Sequence, residues 1–271
     1  MTRGRRFYKM SGSGNDFIVF DSRDGGVEDF TEGARIRRLC DRRQGVGADG
    51  VVIVKPSSRA DLLMKYFNSD GSVGAMCGNA ALCITRLAVQ LGLANAAGMA
   101  LETDDGVLQS RLVGDRPEID LAPIRHLREA AEGHPEQGER RLGYVVAGVP
   151  HVVVLSDDVS AIDVATRGAA LRRASWAGPE GANVNFVSQQ GSHWALRTFE
   201  RGVEAETLAC GTGAVATATL LRSWGLAGEE TSLRTRSGCT LAVALRDLEG
   251  RLLPRLRGEG RVVFEGRLGE V

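Results

Sequence analysis

Cys77 and Cys210 stand in nearly identical settings: Met76-Cys77-Gly78-Asn79-Ala80-Ala81 in one half of the chain and Ala209-Cys210-Gly211-Thr212-Gly213-Ala214 in the other. Read on from Met76 and Ala209, MCGNAALCITRLAVQLGL and ACGTGAVATATLLRSWGL keep cysteine, glycine, alanine, leucine and a closing Gly-Leu in register. A cysteine at a helix start lies among backbone N–H groups that lack intrahelical partners, at the positive end of the helix dipole. Both favour thiolate over thiol and lower a pKa that is about 8.5 in free cysteine. Gly78 and Gly211 allow a ligand close to the backbone, and the same N–H groups suit a carboxylate. Two such thiols match one reaction. A thiolate removes a proton from one face of a carbon acid, a thiol supplies one to the other face, and the stereocentre inverts with neither metal nor organic cofactor. Helix N-termini aimed at the substrate carboxylate would stabilise the carbanion electrostatically. Cys40, Cys83 and Cys239 have no such setting and read as small buried hydrophobes.

Other polar residues fit a charged amino acid as the ligand. Glu200-Arg201 offers a carboxylate for an ammonium group and a guanidinium fork for a carboxylate. Asn15, Asn68, Asn79 and Asn183 fall in Gly-rich or strand-end loops; each alone reads as a turn residue, but four together can orient a ligand. His151, in Gly148-Val149-Pro150-His151, heads an apolar strand, where an isolated histidine is read as structural.

The elements that must position these groups repeat as well. Phe67-Asn68-Ser69-Asp70-Gly71 answers Phe199-Glu200-Arg201-Gly202 upstream of the cysteines, and Leu101-Glu102-Thr103 answers Leu233-Arg234-Thr235 downstream, so the chain reads as an internal duplication. Short β-branched runs at 17–20, 51–54, 62–67, 145–146, 152–155, 184–187, 194–199 and 261–264 predict strands. Helices are expected over 31–41, with Thr31 as N-cap, and over 80–91, 164–174 and 214–224. Those at 80–91 and 214–224 are apolar or small almost all round, which marks helices enclosed by other structure, such as a strongly curved sheet. Residues 125–141, rich in Glu, Arg, Gly and His, look least ordered, and the boundary between repeats falls near Ala122. The expected fold is therefore α/β of the α+β kind. Two pseudo-symmetric domains, 1–121 plus 262–271 and 122–261, would each wrap a curved, mostly antiparallel sheet around a central helix, with the cysteine loops meeting in a cleft.

Composition bounds the remaining classes. The chain has 271 residues, 43% hydrophobic and 25% charged, enough for about two globular domains. Basic and acidic residues number 34 each, which gives no basic surface for a phosphate backbone, so no nucleic-acid partner is expected. The basic start breaks into Ser and Gly where a secretory apolar segment would lie. No run approaches the ~18 apolar residues of a membrane span, so a cytoplasmic protein without a membrane partner is expected. Five dispersed cysteines without CxxC spacing argue against a disulfide framework or zinc ribbon, and four scattered histidines suggest no metal. Gly45 to Gly50 fits GxGxxG but runs into a strand, and Gly211 to Ala216 fits GxGxxA without a clear buried parallel strand leading in; neither reads as a dinucleotide site.

With these residues in hand, the chain resembles the diaminopimelate epimerase family from end to end. The matching stretches are Lys9-Met10-Ser11-Gly12-Ser13-Gly14-Asn15-Asp16-Phe17, Gly45 to Gly50, Phe67 to Gly71, Met76 to Asn79, Pro150-His151, Asn183, and Glu200-Arg201-Gly202 through Glu206-Thr207 to Gly213. The resemblance implies an isomerase without pyridoxal phosphate or other cofactor, usually a homodimer, that converts LL-2,6-diaminopimelate to the meso form for lysine and cell-wall precursor synthesis. It implies Cys77 and Cys210 as the acid/base pair, assisted by His151 and Glu200. It implies Asn15, Asn68, Gly78, Asn79, Asn183, Glu200, Arg201, Gly211 and Thr212 as the substrate lining. Within that lining, backbone at Gly78-Asn79 and Gly211-Thr212 would hold the reacting carboxylate, and Asn68, Asn183 and Arg201 the distal end.

Four departures stand out: Ser11 replaces a common histidine, Gly50 a substrate-contacting glutamine of some members and Val149 a frequent asparagine, and one extra residue lies within Val203 to Glu206. A racemase for histidine or hydroxyproline on the same fold is the alternative within the class. A redox protein whose two thiols bond to each other, or a binding module, are the alternatives outside it.

Overall fold

The computed structural model describes residues 4–25 and 31–269. Its first elements are β1 (Arg6–Gly12), β2 (Asn15–Asp21), α1 (Gly33–Cys40), β3 (Gly50–Lys55), β4 (Leu62–Asn68), β5 (Val73–Gly74), α2 (Gly78–Gln90), β6 (Met99–Thr103), β7 (Gly106–Val113) and β8 (Arg116–Asp120). The second run is β9 (Arg125–Arg128), β10 (Glu139–Ala147), β11 (Val149–Ser156), α3 (Val164–Arg172), β12 (Asn183–Gln190), β13 (His193–Glu200), β14 (Ala205–Thr207), α4 (Gly211–Ser223), β15 (Glu230–Arg234), β16 (Thr240–Leu248) and β17 (Arg251–Arg257), followed by β18 (Arg261–Arg267). The chain divides into two compact units, Met1–Ile119 with Gly258–Val271, and Asp120–Arg257.

The two units share one pairing scheme. In the first, β1 and β2 are antiparallel, β2 and β3 parallel across α1, β3 and β4 antiparallel, and β4 and β6 parallel across α2. In the second, β10 and β11, β11 and β12 across α3, β12 and β13, and β13 and β15 across α4 repeat those relations in order. The duplication read from the sequence is therefore a duplication of topology. In the first unit β18 adds to the free side of β1, with a register shift between Lys9 and Met10.

Each unit buries one helix almost completely. α2 packs on β1, β4, β6, β7 and β18, and α4 on β10, β11, β12, β15, β16 and β17, so strands far apart in each sheet curve around a single helix. Small residues make this possible: Ala80 to Thr85 and Gly213 to Leu221 are buried without a break. The threonines in these runs satisfy their hydroxyls on the preceding turn, Thr85 on the Ala81 carbonyl, Thr217 on Gly213 and Thr219 on Val215, each at 2.8 Å. The other helices cover the second face. Ile36 and Leu39 of α1 pack with Ile18, Phe20, Val51 and Ile53, and Val164 and Leu171 of α3 pack with Val152, Val154, Val184 and Phe186.

Local expectations were corrected in three places. Thr31 is not the N-cap of α1: Arg35 and Ile36 donate to the Glu32 carbonyl, which makes Glu32 the cap, with no side-chain bond. α2 and α4 begin at Gly78 and Gly211, earlier than 80 and 214, because the extended backbone stops at the cysteines themselves. Residues 125–141 hold β9 and the start of β10. Arg167 organises that stretch by binding both carboxylate oxygens of Glu139, at 2.9 and 2.8 Å, and the His134 carbonyl at 3.0 Å.

Candidate active site

Cys77 is the N-cap of α2 with φ −135° and ψ 118°, and Cys210 is the N-cap of α4 with φ −135° and ψ 113°. The first intrahelical bonds run from Ala81 N–H to the Cys77 carbonyl, 2.9 Å, and from Ala214 N–H to the Cys210 carbonyl, 3.0 Å. Both cysteines thus hold the N-cap position of a helix whose first amides lack intrahelical partners and which the surrounding sheet keeps out of water. Two differences separate them. Cys210 Sγ accepts from Gly213 N–H at 3.4 Å and lies 3.5 Å from Thr212 Oγ1, whereas Cys77 makes no cap bond to α2 through its side chain. Cys210 is buried and Cys77 half-buried. The other buried thiols are chemically quiet: burial pushes Cys40 up to about 11, and burial followed by the proximity of Cys77 pushes Cys83 well above its ordinary value.

In the first unit Asn79, in the opening turn of α2, donates to Asn15 Oδ1 at 2.6 Å. Asn15 in turn donates to Asp49 at 3.1 Å. The Asp49 and Asp16 carboxylates are held by Arg42, which reaches Asp16 at 2.7 and 2.9 Å and Asp49 at 2.9 Å, while Lys9 reaches Asp16 at 2.6 Å. Burial raises the Asp16 carboxyl, but hydrogen bonds from Arg42 and Lys9 outweigh it and hold Asp16 well below the usual carboxylate range. A charged network therefore fixes the asparagine pair next to Cys77. Asn79 Oδ1 is buried and has no hydrogen-bond partner among the described residues. Asn68, at the end of β4, donates to Ser72 Oγ of its own turn at 3.0 Å.

Gly50 explains one departure from the family pattern. A Cβ there would lie 2.7 Å from the Phe67 carbonyl oxygen and 2.7 Å from the Tyr66 ring, whose edge meets Phe17 with ring centroids 6.1 Å apart. Tyr66 fills the space a side chain at residue 50 would need. Gly50→Gln is expected to destabilise the protein by about 1–3 kcal/mol through overpacking. A urea midpoint equal to that of the parent would refute this.

In the second unit the parallel ladder of β11 and β12 places His151 opposite Asn183. Asn183 Oδ1 accepts from the Arg201 N–H at 2.8 Å, so the turn after Glu200 is tied to the same ladder. That turn absorbs the extra residue: Glu204 adopts φ 57°, donates to the Glu200 carbonyl at 2.8 Å and accepts from Gly202 N–H at 3.1 Å. Glu200 is half-buried at the end of β13. The Arg201 guanidinium meets Glu180, whose side chain is 81% exposed, so this is a surface ion pair easily exchanged for another carboxylate. His151 is fully buried; desolvation, then the nearby Arg201 charge, pushes it down to about 3, so the imidazole is neutral.

Sequence reasoning missed Asn185. Its Nδ2 lies 3.1 Å from His151 Nδ1 and donates to the Val152 carbonyl at 3.0 Å, and its Oδ1 accepts from Thr198 at 3.0 Å. The signal was present, because a polar residue two positions from Asn183 in an otherwise apolar strand shares its face and must find partners when buried. No individual role was expected for Lys9, Asp16 or Asp49, which lie within the matching stretches, or for Arg42. Among the described residues, no three His, Cys, Asp or Glu side chains group as a metal would require, and no helix is long and apolar enough to cross a membrane.

This sheet-wrapped fold is shared by solved proteins with little sequence in common. A PhzF-family phenazine biosynthesis protein of Bacillus anthracis matches with TM-score 0.75 at 16% identity over 98% of this chain and 99% of its own. A hydroxyproline epimerase of Agrobacterium vitis matches with TM-score 0.69 at 17% identity over 99% and 93%. The class is therefore the two-domain α+β fold common to PhzF-type proteins and amino-acid epimerases. Within it, the chain belongs to the diaminopimelate epimerase family, whose model, described as "Diaminopimelate epimerase", matches residues 7–125 and 143–249. Curated diaminopimelate epimerases of Gemmatimonas aurantiaca, 50% identical over 97% of this chain and 98% of the relative, and of Aquifex aeolicus, 38% over 97% and 98%, agree.

Proposed function

We propose that this protein interconverts LL- and meso-2,6-diaminopimelate by two-base proton transfer at one α-carbon, with Cys77 and Cys210 as the acid/base pair. The observation that carries the reading is the repeated thiol N-cap, one in each unit, with the same backbone angles at the mouth of a buried helix. The orphan N–H groups of Gly78-Asn79 and Gly211-Thr212 receive the reacting carboxylate and stabilise the carbanion as charge develops. His151 and Glu200 assist the thiols, Asn15 orients Asn79, and Asn68, Asn183 and Arg201 hold the distal amino acid. On this reading each unit is one epimerase domain, and the enzyme acts without pyridoxal phosphate, as a cytoplasmic homodimer, in lysine and cell-wall precursor synthesis.

Purified protein incubated with LL-diaminopimelate in D₂O should accumulate the meso isomer carrying solvent deuterium at the inverted carbon, with rates unaffected by hydroxylamine. Proline, hydroxyproline and histidine should remain unconverted. Turnover of one of these instead, with none of diaminopimelate, would replace the substrate assignment and keep the reaction class.

A further inference from the structure

We propose that Asn185 is a positioning residue that locks His151 in its Nε2–H tautomer, so that His151 serves the ligand as a neutral hydrogen-bond donor and not as a proton acceptor. The part concerning the ligand rests on the epimerase reading above; the tautomer does not.

The assignment follows from what each atom can do. The Val152 carbonyl can only accept, so the atom of the Asn185 amide facing it at 3.0 Å must be the N–H-bearing nitrogen. That orientation directs Asn185 Oδ1 to Thr198 Oγ1, 3.0 Å away, which donates to it. The second hydrogen of the same nitrogen points to His151 Nδ1, 3.1 Å away. A ring nitrogen that accepts is unprotonated, and a neutral imidazole then carries its proton on Nε2. His151 Nε2 is buried and has no hydrogen-bond partner among the described residues. A buried donor left without an acceptor is costly, and the cost is relieved only when something accepts from it. The lock and the vacant donor occupy opposite sides of one ring, so the residue that fixes the ring also decides what the ring can offer.

Asn185 also reaches the Cys210 turn. A Cβ on Gly213 would stand 2.3 Å from Asn185 Oδ1, a distance only glycine permits, and the Gly213 N–H is the donor to Cys210 Sγ. One amide therefore bears on the histidine and on the turn that carries the thiol. The charge acting on the ring is that of Arg201, which opposes a second proton, as burial does.

The test reads the tautomer directly. Long-range ¹H–¹⁵N correlation of the labelled, substrate-free protein, with His151 signals identified by their loss in His151→Gln, is expected to show a bare Nδ1 and a protonated Nε2 across about pH 5–8, where ordinary histidines change charge. A protonated Nδ1, a mixture of tautomers or an imidazolium in the parent protein would overturn the proposal. In Asn185→Asp the donor is gone, and the ring should move to the Nδ1–H form. In the same variant kcat should fall by about 10- to 100-fold with KM within about twofold, the size typical of a partner that orients a functional histidine. An unchanged tautomer or unchanged kcat in that variant would also overturn it. If Asn185→Asp does not fold, the parent spectrum decides alone. Failure of the epimerase reading would appear separately, as absence of meso product from the parent enzyme.

Discussion

Cys77→Ala and Cys210→Ala are each expected to lower kcat for inversion by about 10²- to 10⁴-fold, the worth of one positioned proton-transfer group. The argument turns on direction. In a two-base mechanism the proton removed from one face stays on the first thiol, and the proton delivered to the other face comes from the second, which equilibrates with solvent between turnovers. Product formed in D₂O should therefore carry deuterium from the first turnover while recovered substrate is still unlabelled. Removing one thiol leaves a base for one epimer and an acid for the other, so neither can complete inversion. Stability should change little, since only Cys210 contributes a cap bond, to Gly213, and a lost cap costs about 1 kcal/mol. Matching circular dichroism spectra and thermal midpoints within a few degrees would separate loss of chemistry from loss of fold. Undiminished inversion in either variant would remove that thiol from the mechanism.

The two helix mouths were legible because the two cysteines announce themselves through their neighbours. A cysteine followed by glycine and an apolar, small-residue run can form an N-cap only if the run is a helix, and such a helix is stable only when enclosed. α2 and α4 are enclosed in this way. What was not legible was the support. Asn185 looks like any polar residue in a strand until the parallel register of β11 and β12 brings it beside His151. The Lys9, Arg42, Asp16 and Asp49 network joins residues from three separate stretches, and no local pattern foretells which of many charges will meet. Gly50 shows the converse. It looked like a lost substrate contact, whereas its meaning is steric and lies in Tyr66, a residue on the neighbouring strand. Residues that touch a ligand are constrained by chemistry and leave motifs; residues that hold them are constrained by geometry, which appears only after the strands are paired.

Between pH 7 and 4.5 the parent protein is expected to lose about 3 kcal/mol more stability than His151→Gln. In the unfolded chain the imidazole takes a proton near 6.5, while in the folded protein burial, then Arg201, pushes that value down to about 3. Between those limits the unfolded state binds more protons, so unfolding becomes easier as pH falls, by ~1.4 kcal/mol per unit for one group. The loss begins near 6.5 and ends below about 3. Carboxylates act in a lower window. Asp16 and Asp21, both held below their ordinary value of 3.8, contribute stability that is present above it and is lost only as pH falls further. At pH 4.5 the difference between the two proteins therefore isolates the histidine, because every other group is common to both and cancels. Urea midpoints at the two pH values provide the measurement. Parallel losses in parent and variant would mean that the His151 ring is solvated or already charged in the folded state, and a charged ring could not leave Nδ1 bare for Asn185. A difference of the expected size would instead mean that the site keeps a neutral ring at a position where solvent would protonate it. Only a neutral ring can combine a bare Nδ1 facing Asn185 with a proton on Nε2.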